Sequence, residues 1–339
     1  MAVTIKDVAK LANVSPSTVS RVIANNPRIS DATKRIVYEA MEELNYRPNA
    51  IARSLANQST QTLGLILPST DENLFKNPFF IEVMRGISLY AQKKGYRIMY
   101  TYSANPDEEV HFIEDFIQSK WVDGVVLLSV QEDDKCIDYL KSTGFPFVVV
   151  GRPGVTDDVL WVDNDNFQAT YNVVNHLIQK GCAKITFVGG PLNMNYSRDR
   201  LEGFKRAMEV RGLPVKDEDI YEMSDLTIEH GYEAMGKIIE KAEPDAVVTT
   251  DDFLAIGVNR YVHEHGMKTK VVGFNNIPLG EYQTPSLSSV DIDAESLGYQ
   301  AAKLLINSLK GIENVLNHYI VGTRLVERES TKSSAPAKG

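Results

Sequence analysis

From Thr62 onward, short apolar runs alternate with longer segments whose apolar residues recur every three or four positions. The runs cover 63–67, 97–102, 124–130, 147–150, 185–189, 246–249 and 271–274. Helical spacing marks 82–93, 165–179, 199–211, 229–240 and 253–265 between them. Alternation of this kind predicts parallel sheets covered by helices, because parallel strands need a crossover that an amphipathic helix supplies. One sheet would need seven strands. A break near 155–166 predicts two subdomains instead, at 62–161 and 162–290, with 287–290, a helix at 297–309 and the run 319–326 returning across both. From Ser330 the chain is polar and low in complexity, which predicts a disordered tail over 330–339.

The first 58 residues follow a purely helical pattern. Thr4 precedes Asp7 at capping-box spacing, and Ile5, Val8, Ala9 and Ala12 share one face. Ser15-Pro16 restarts a helix whose apolar stripe is Val19, Val22 and Ile23. A third helix opens at Ser30 and carries Ile36, Val37, Ala40, Met41 and Leu44, enough to close a three-helix miniature core. Tyr46-Arg47-Pro48-Asn49 then turns the chain. The segment 49–56 is helix-capable with little to pack on, so it should order only against a partner.

Charge separates these two regions. The 339-residue chain carries a net −9, yet residues 1–60 hold eight basic and five acidic side chains, leaving +3 there and −12 elsewhere. A basic head on an acidic body directs only the head toward a polyphosphate. On the second helix, Ser17, Thr18, Ser20 and Arg21 combine small hydroxyls with a bidentate donor suited to guanine in a major groove.

Here a family resemblance becomes specific. The run T-I-K-D-V-A-K-L-A-N-V-S-P-S-T-V-S-R-V-I, followed by N-Y-R-P-N-A-I-A-R-S-L-A, resembles the head and hinge of the lactose-repressor (LacI) family over nearly 60 residues. The resemblance implies a helix-turn-helix DNA-binding domain at 1–58 with a hinge helix at 49–56. Its DNA-facing set would be Thr4, Pro16, Ser17, Thr18, Ser20, Arg21, Arg28, Ser30, Thr33, Asn49, Ala52, Arg53, Leu55 and Ala56. Leu55 would wedge between base steps in the minor groove, the unstacking offset by the protein surface that bent DNA can touch. The remainder, 62–329, resembles the family's periplasmic-binding-protein-like sensor, an α/β unit of two parallel-sheet subdomains that also dimerises.

In open α/β sheets, ligands sit beyond the carboxyl ends of the strands. Residues placed there are Asp163, Asn195, Arg200, Asp251 and Asn275, joined by the aromatic pair Phe79 and Phe80 after the first strand. Arg200 falls in a family signature whose arginine holds ligand hydroxyls. Position 275 is often Asp in the family; Asn keeps the acceptor and adds a donor. Carboxylates, amides and a guanidinium suit paired sugar hydroxyls. The segments V-D-N-D-N at 162–166, Q-K-G-C at 179–182, K-N-P-F-F at 76–80 and T-T-D at 249–251 most resemble maltose-operon repressors of Gram-positive bacteria. That branch implies maltose or a maltodextrin as effector.

Other classes fit less well. The six histidines form no HExxH, and GxSxG, GxGxxG and GxxxxGK[ST] motifs are absent, so neither catalysis nor a cofactor is expected. Cys136 and Cys182 stand in no metal-ligand spacing. Neither an export signal nor an apolar run long enough to span a bilayer is present, which predicts a cytoplasmic protein without a membrane partner. The expected partners are palindromic operator DNA, a small sugar and a second copy of the chain. A catabolite-control-type regulator, whose DNA binding a corepressor or partner protein promotes, is the alternative reading. A transport solute-binding protein is a remote one.

Overall fold

The structure, a computed structural model, describes residues 3–24, 26–47, 59–68, 77–102, 106–128 and 130–332. The chain divides into two compact units, Met1–Gln61 and Thr62–Gly339.

In the first unit, helices α1 (Ile5–Leu11), α2 (Pro16–Ile23) and α3 (Asp31–Glu43) close on a small core of Val8, Ala9, Ala12, Val19, Val22, Val37 and Ala40. Local chemistry fixes where each helix starts. The Thr4 backbone N–H and hydroxyl donate to Asp7 Oδ2 at 2.8 and 2.7 Å. Ser15 Oγ accepts from the Thr18 N–H at 3.1 Å, and Ser30 Oγ from the Thr33 N–H at 3.3 Å. One expectation fails: Ile36 is 50% exposed rather than part of the core, since it sits about 100° around the helix from Val37. The expected hinge helix, with Asn49, Ala52, Arg53, Leu55 and Ala56, lies outside the described residues.

The second unit holds two six-stranded sheets. The first uses β1 (Thr62–Leu67), β2 (Arg97–Tyr102), β3 (Gly124–Leu127), β4 (Phe147–Val150), β5 (Leu160–Asn164) and, from the end of the chain, β11 (His318–Val321). Their order is β11-β5-β4-β3-β1-β2, parallel throughout. The second uses β6 (Ile185–Gly189), β7 (Ile220–Glu222), β8 (Ala246–Thr249), β9 (Lys270–Phe274), β10 (Ser288–Asp291) and β12 (Arg324–Val326), in the order β12-β10-β9-β8-β6-β7. Only β12 runs antiparallel to its neighbour.

Three strand expectations need correction. The boundary at 161/162 would cut β5, which completes the first sheet through Asn164; its polar end hid a strand that pairing with β4 and β11 stabilises. The single run 319–326 is two strands, one in each sheet, separated by Gly322 and Thr323. Strand β3 ends at Leu127, three residues early, and Leu128 and Val130 turn into the cleft. The short edge strand β7 has no apolar run to announce it.

The tail boundary also moves. Ser330 and Thr331 are buried: Ser330 Oγ donates to Val271 O at 2.7 Å and accepts from the Ser288 N–H at 2.8 Å, so its polarity serves the sheet backbone rather than solvent. Residues 333–339 lie outside the described residues.

The covering helices are α4 (Pro78–Lys93), α5 (Pro106–Gln118), α6 (Lys135–Thr143), α7 (Asn166–Gln179), α8 (Asn195–Val210), α9 (Ile228–Ile239), α10 (Asp252–Glu264) and α11 (Ala294–Leu309). Helix α11 returns to the first sheet and meets α4 backbone to backbone. A Cβ on Gly86 would stand 1.9 Å from Glu295 O, and one on Gly298 1.9 Å from Val83 O. Gly231 and Gly257 close α9 on α10 in the same manner.

Candidate ligand site and head surface

The chain passes between the sheets after β5, between β10 and α11, and between β11 and β12. These crossings leave a cleft at the carboxyl ends of the strands, containing a cavity of about 720 Å³. The loops after nearly every strand contribute to its wall: Pro68, Leu128, Arg152, Asn166, Pro191, Thr250 and Ile292 among them. All seven residues expected from the sequence line this one cavity: Phe79, Phe80, Asp163, Asn195, Arg200, Asp251 and Asn275.

Arg200, on the first turns of α8, is 4% exposed. Its Nε donates to Asn166 Oδ1 at 2.9 Å and its Nη1 to Thr250 O, while Phe274 lies under the guanidinium at 4.2 Å. Burial lowers its pKa, opposed by Tyr196, Asp163 and Asp251. Among the described residues its Nη2 has no hydrogen-bond partner, leaving that edge of the fork available to a ligand in the cavity it lines. The Asn166 side chain continues the chain of hydrogen bonds by donating to Asp163 Oδ1 at 3.1 Å. Asp163 also accepts from the backbone N–H groups of Asn164, at 2.7 Å, and Arg152, at 2.9 Å. Burial nevertheless pushes its carboxyl up to about 6.

Next to Thr250, Asp251 caps α10 by accepting from the Phe253 N–H at 2.6 Å. It also takes the Asn275 side-chain N–H at 2.7 Å. Asn275 and Asn276 both have positive φ, 100° and 51°, which turns the chain sharply at the end of β9. Asn195 donates to Arg152 O at 2.8 Å. Phe79 and Phe80 pack edge to face at 5.1 Å; Phe80 is buried in the core and Phe79 is half-buried at the wall.

Sequence reasoning missed Asn166, Thr250, Arg152, Leu226, Ile292 and Leu297. The first three stand one or two positions past a strand end, a signal that was present. Ile292 also follows a strand end directly, whereas Leu226 and Leu297 carry no signal, because nothing distinguishes them from core residues. The ionisable wall groups, Arg152 and Arg200 against Asp163, Asp225 and Asp251, nearly balance. Such a wall, with aromatic rings among its polar groups, suits a neutral ligand rich in hydroxyls.

On the head, Pro16, Ser17, Ser20, Arg21 and Arg28 are exposed. The hydroxyls of Thr18, Ser30, Thr33 and Thr4 are used in the helix starts: Thr18 Oγ1 lies 2.9 Å from Ser15 Oγ, and Thr33 Oγ1 2.9 Å from Ser30 Oγ. Cys136 and Cys182 are buried free thiols, and burial beside Asp134 and Glu109 pushes the Cys136 thiol up. Among the described residues, no cluster of three or more His, Cys, Asp or Glu could hold a metal, and no helix is long and apolar enough to cross a membrane.

Two family models match the chain: bacterial regulatory proteins of the lacI family over residues 4–49, and a periplasmic binding protein-like domain over 174–331. Among curated proteins, the HTH-type transcriptional regulator MalR of Streptococcus pneumoniae is 37% identical, over 97% of this chain and 100% of that protein. Catabolite control protein A of Priestia megaterium is 35% identical, over 98% and 100%. A solved complex of the transcriptional regulator CelR with cellobiose superposes with a TM-score of 0.75 at 29% identity, covering 97% of this chain and 100% of that one.

Proposed function

The chain belongs to the lacI family of bacterial regulatory proteins, and from that premise we propose that it is a cytoplasmic repressor of a sugar-utilisation operon, released from a palindromic operator by maltose or a maltodextrin. The observation that carries the sugar is the cavity: about 720 Å³, nearly charge-balanced, and lined by Arg200, Asp163, Asp251 and Asn275 together with the aromatic Phe79. Similarity to a solved structure described as a probable maltose operon transcriptional repressor and to a cellobiose-bound regulator favours a disaccharide.

On the DNA side, two copies place two α2 helices on a two-fold site, since operator symmetry mirrors protein symmetry. Ser17, Ser20 and Arg21 read bases, with Pro16 and Arg28 alongside. The half-used hydroxyls of Thr4, Thr18, Ser30 and Thr33 bring the helix starts to the phosphates. The hinge residues Asn49, Ala52, Arg53, Leu55 and Ala56 enter the minor groove. Sugar acts only through its unequal affinity for the DNA-bound and DNA-free states.

The test is fluorescence anisotropy of the full chain on a family-type palindrome. Raising salt from 50 to 200 mM should cut affinity by roughly 10³-fold or more if several phosphates are contacted. Arg21→Ala should cost about 1–3 kcal/mol. Millimolar maltose should release the DNA, and sugar phosphates should not. Salt-independent binding would end the DNA reading. Maltose that tightens the complex would favour the catabolite-control type of regulation, the second reading, which the similarity to catabolite control protein A supports.

A further inference from the structure

The two subdomains touch again apart from the crossings. The crossings leave from β5 and β11 at one edge of the first sheet, and from β10 and β12 at one edge of the second. The second contact joins the loops after β3 and β4 to the segment from β6 into α8. Gln131 and Met194 form an antiparallel bridge, and the Glu132 N–H donates to Asn193 O at 3.0 Å. Two ion pairs flank it. Arg198 Nη1 lies 2.5 Å from Glu132 Oε2, and Arg152 Nη2 donates to both oxygens of Asp199 at 3.1 and 2.9 Å.

Arg152 carries more than its ion pair. Its N–H holds Asp163 in the first subdomain and its carbonyl takes the Asn195 side chain from the second, so one residue positions two wall groups while its guanidinium closes the rim. Glu132, Arg198 and Asp199 do not line the cavity. Glu132 and Asp199 reach it only through the arginines that join the two subdomains, whereas Arg198 also donates to the Asn195 side chain in the wall.

We infer that the Glu132–Arg198 and Arg152–Asp199 pairs form a clasp, with Arg152 as its positioning residue, that closes the subdomains over the ligand and sets how long it stays. The inference rests on the reading of the cavity as a sugar site. A contact made only in the closed state slows escape without slowing entry, because the open state meets the ligand first. Two partly exposed pairs are together worth about a tenfold change in dissociation rate.

The experiment uses the full chain and maltose, with stopped-flow fluorescence giving association and dissociation rates. Glu132→Gln combined with Asp199→Asn should raise the dissociation rate about tenfold and leave association within about twofold. Exchanging charges, Glu132→Arg with Arg198→Glu, should restore slow release. In 0.5 M KCl the natural protein should release faster, whereas the neutralised variant should not respond. Equal dissociation rates for natural and neutralised protein would overturn the inference. A separate readout needs no sugar: spin labels on Lys141→Cys and Glu240→Cys should report a longer or broader distance between subdomains once the clasp is neutralised. If no sugar binds the natural protein, the sugar reading fails, and the label distances still decide the clasp.

Discussion

Asn275 donates its side-chain N–H to Asp251 Oδ2 at 2.7 Å, across the gap between the ends of β9 and β8. The donor that Asn adds at this position therefore has a use: it satisfies one oxygen of a buried carboxylate that also caps α10. Asn275→Asp would set two carboxylates against each other, and such pairs do not both ionise. The variant should lose about 2 kcal/mol of stability at pH 7 and distinctly less at pH 5, where one proton can be shared. Urea denaturation at the two pH values checks this; an equal loss at both would show that repulsion is not the cause.

Arg200 places its fork between an amide and a backbone carbonyl. Lysine would keep the charge but could not meet both partners in one plane. Arg200→Lys should cost about 1–3 kcal/mol of stability, and Arg200→Met, which removes the buried cation beside Asp163 and Asp251, about 3–5 kcal/mol. Calorimetric titration with maltose should find binding weakened by at least about 100-fold in both. Full affinity in the lysine variant would exclude the bidentate role.

Asp163 makes stability depend on pH in the direction opposite to a salt-bridged carboxylate. Burial raises its pKa to about 6, above the ordinary value near 3.9. Its contribution is therefore complete below the unfolded value and is lost as pH rises through about 6. The full shift corresponds to about 3 kcal/mol, of which roughly 1 kcal/mol falls between pH 5 and pH 7. The stability of the natural protein, measured relative to Asp163→Asn, should decline by that amount from pH 5 to pH 7. A difference constant across this range would place the carboxyl's pKa well below 5.

Gly86 and Gly236 are both helical glycines with opposite prospects. A Cβ at Gly86 collides with Glu295 O at 1.9 Å, whereas one at Gly236 meets only Tyr261 at 3.6 Å. Gly86→Ala should destabilise by about 2 kcal/mol or more, because α11 must move off α4. Gly236→Ala should stabilise by about 0.5–1 kcal/mol through helix propensity alone. Thermal melts of the two variants provide the comparison.

The order of strands and helices was legible where the signal is local. Caps such as Ser15 and Ser30, and apolar runs such as 147–150, act within one turn or one strand, so neighbouring residues suffice to read them. Strand-end position likewise picked out Asp163, Asp251 and Asn275, and a segment following β6 supplied Asn195 and, through a family signature, Arg200, because in alternating sheets the topology carries most such ends to one cleft. Strands β5 and β7 were not legible, nor was the division of 319–326, because their stability comes from partners distant in sequence.

The amino-acid sequence by itself determined a three-helix basic head, an alternating α/β body and the residues at the strand ends, since each follows from spacing, capping and charge along the chain. Only the tertiary structure decided which side chains answer one another: Asn275 with Asp251, Asn166 between Arg200 and Asp163, Arg152 with Asp199, and Ser330 with the backbone of β9 and β10. Hydrogen bonds and ion pairs act over a few ångströms in space regardless of separation along the chain, and burial, which moved Asp163 to about 6, exists only once the sheets have closed around it.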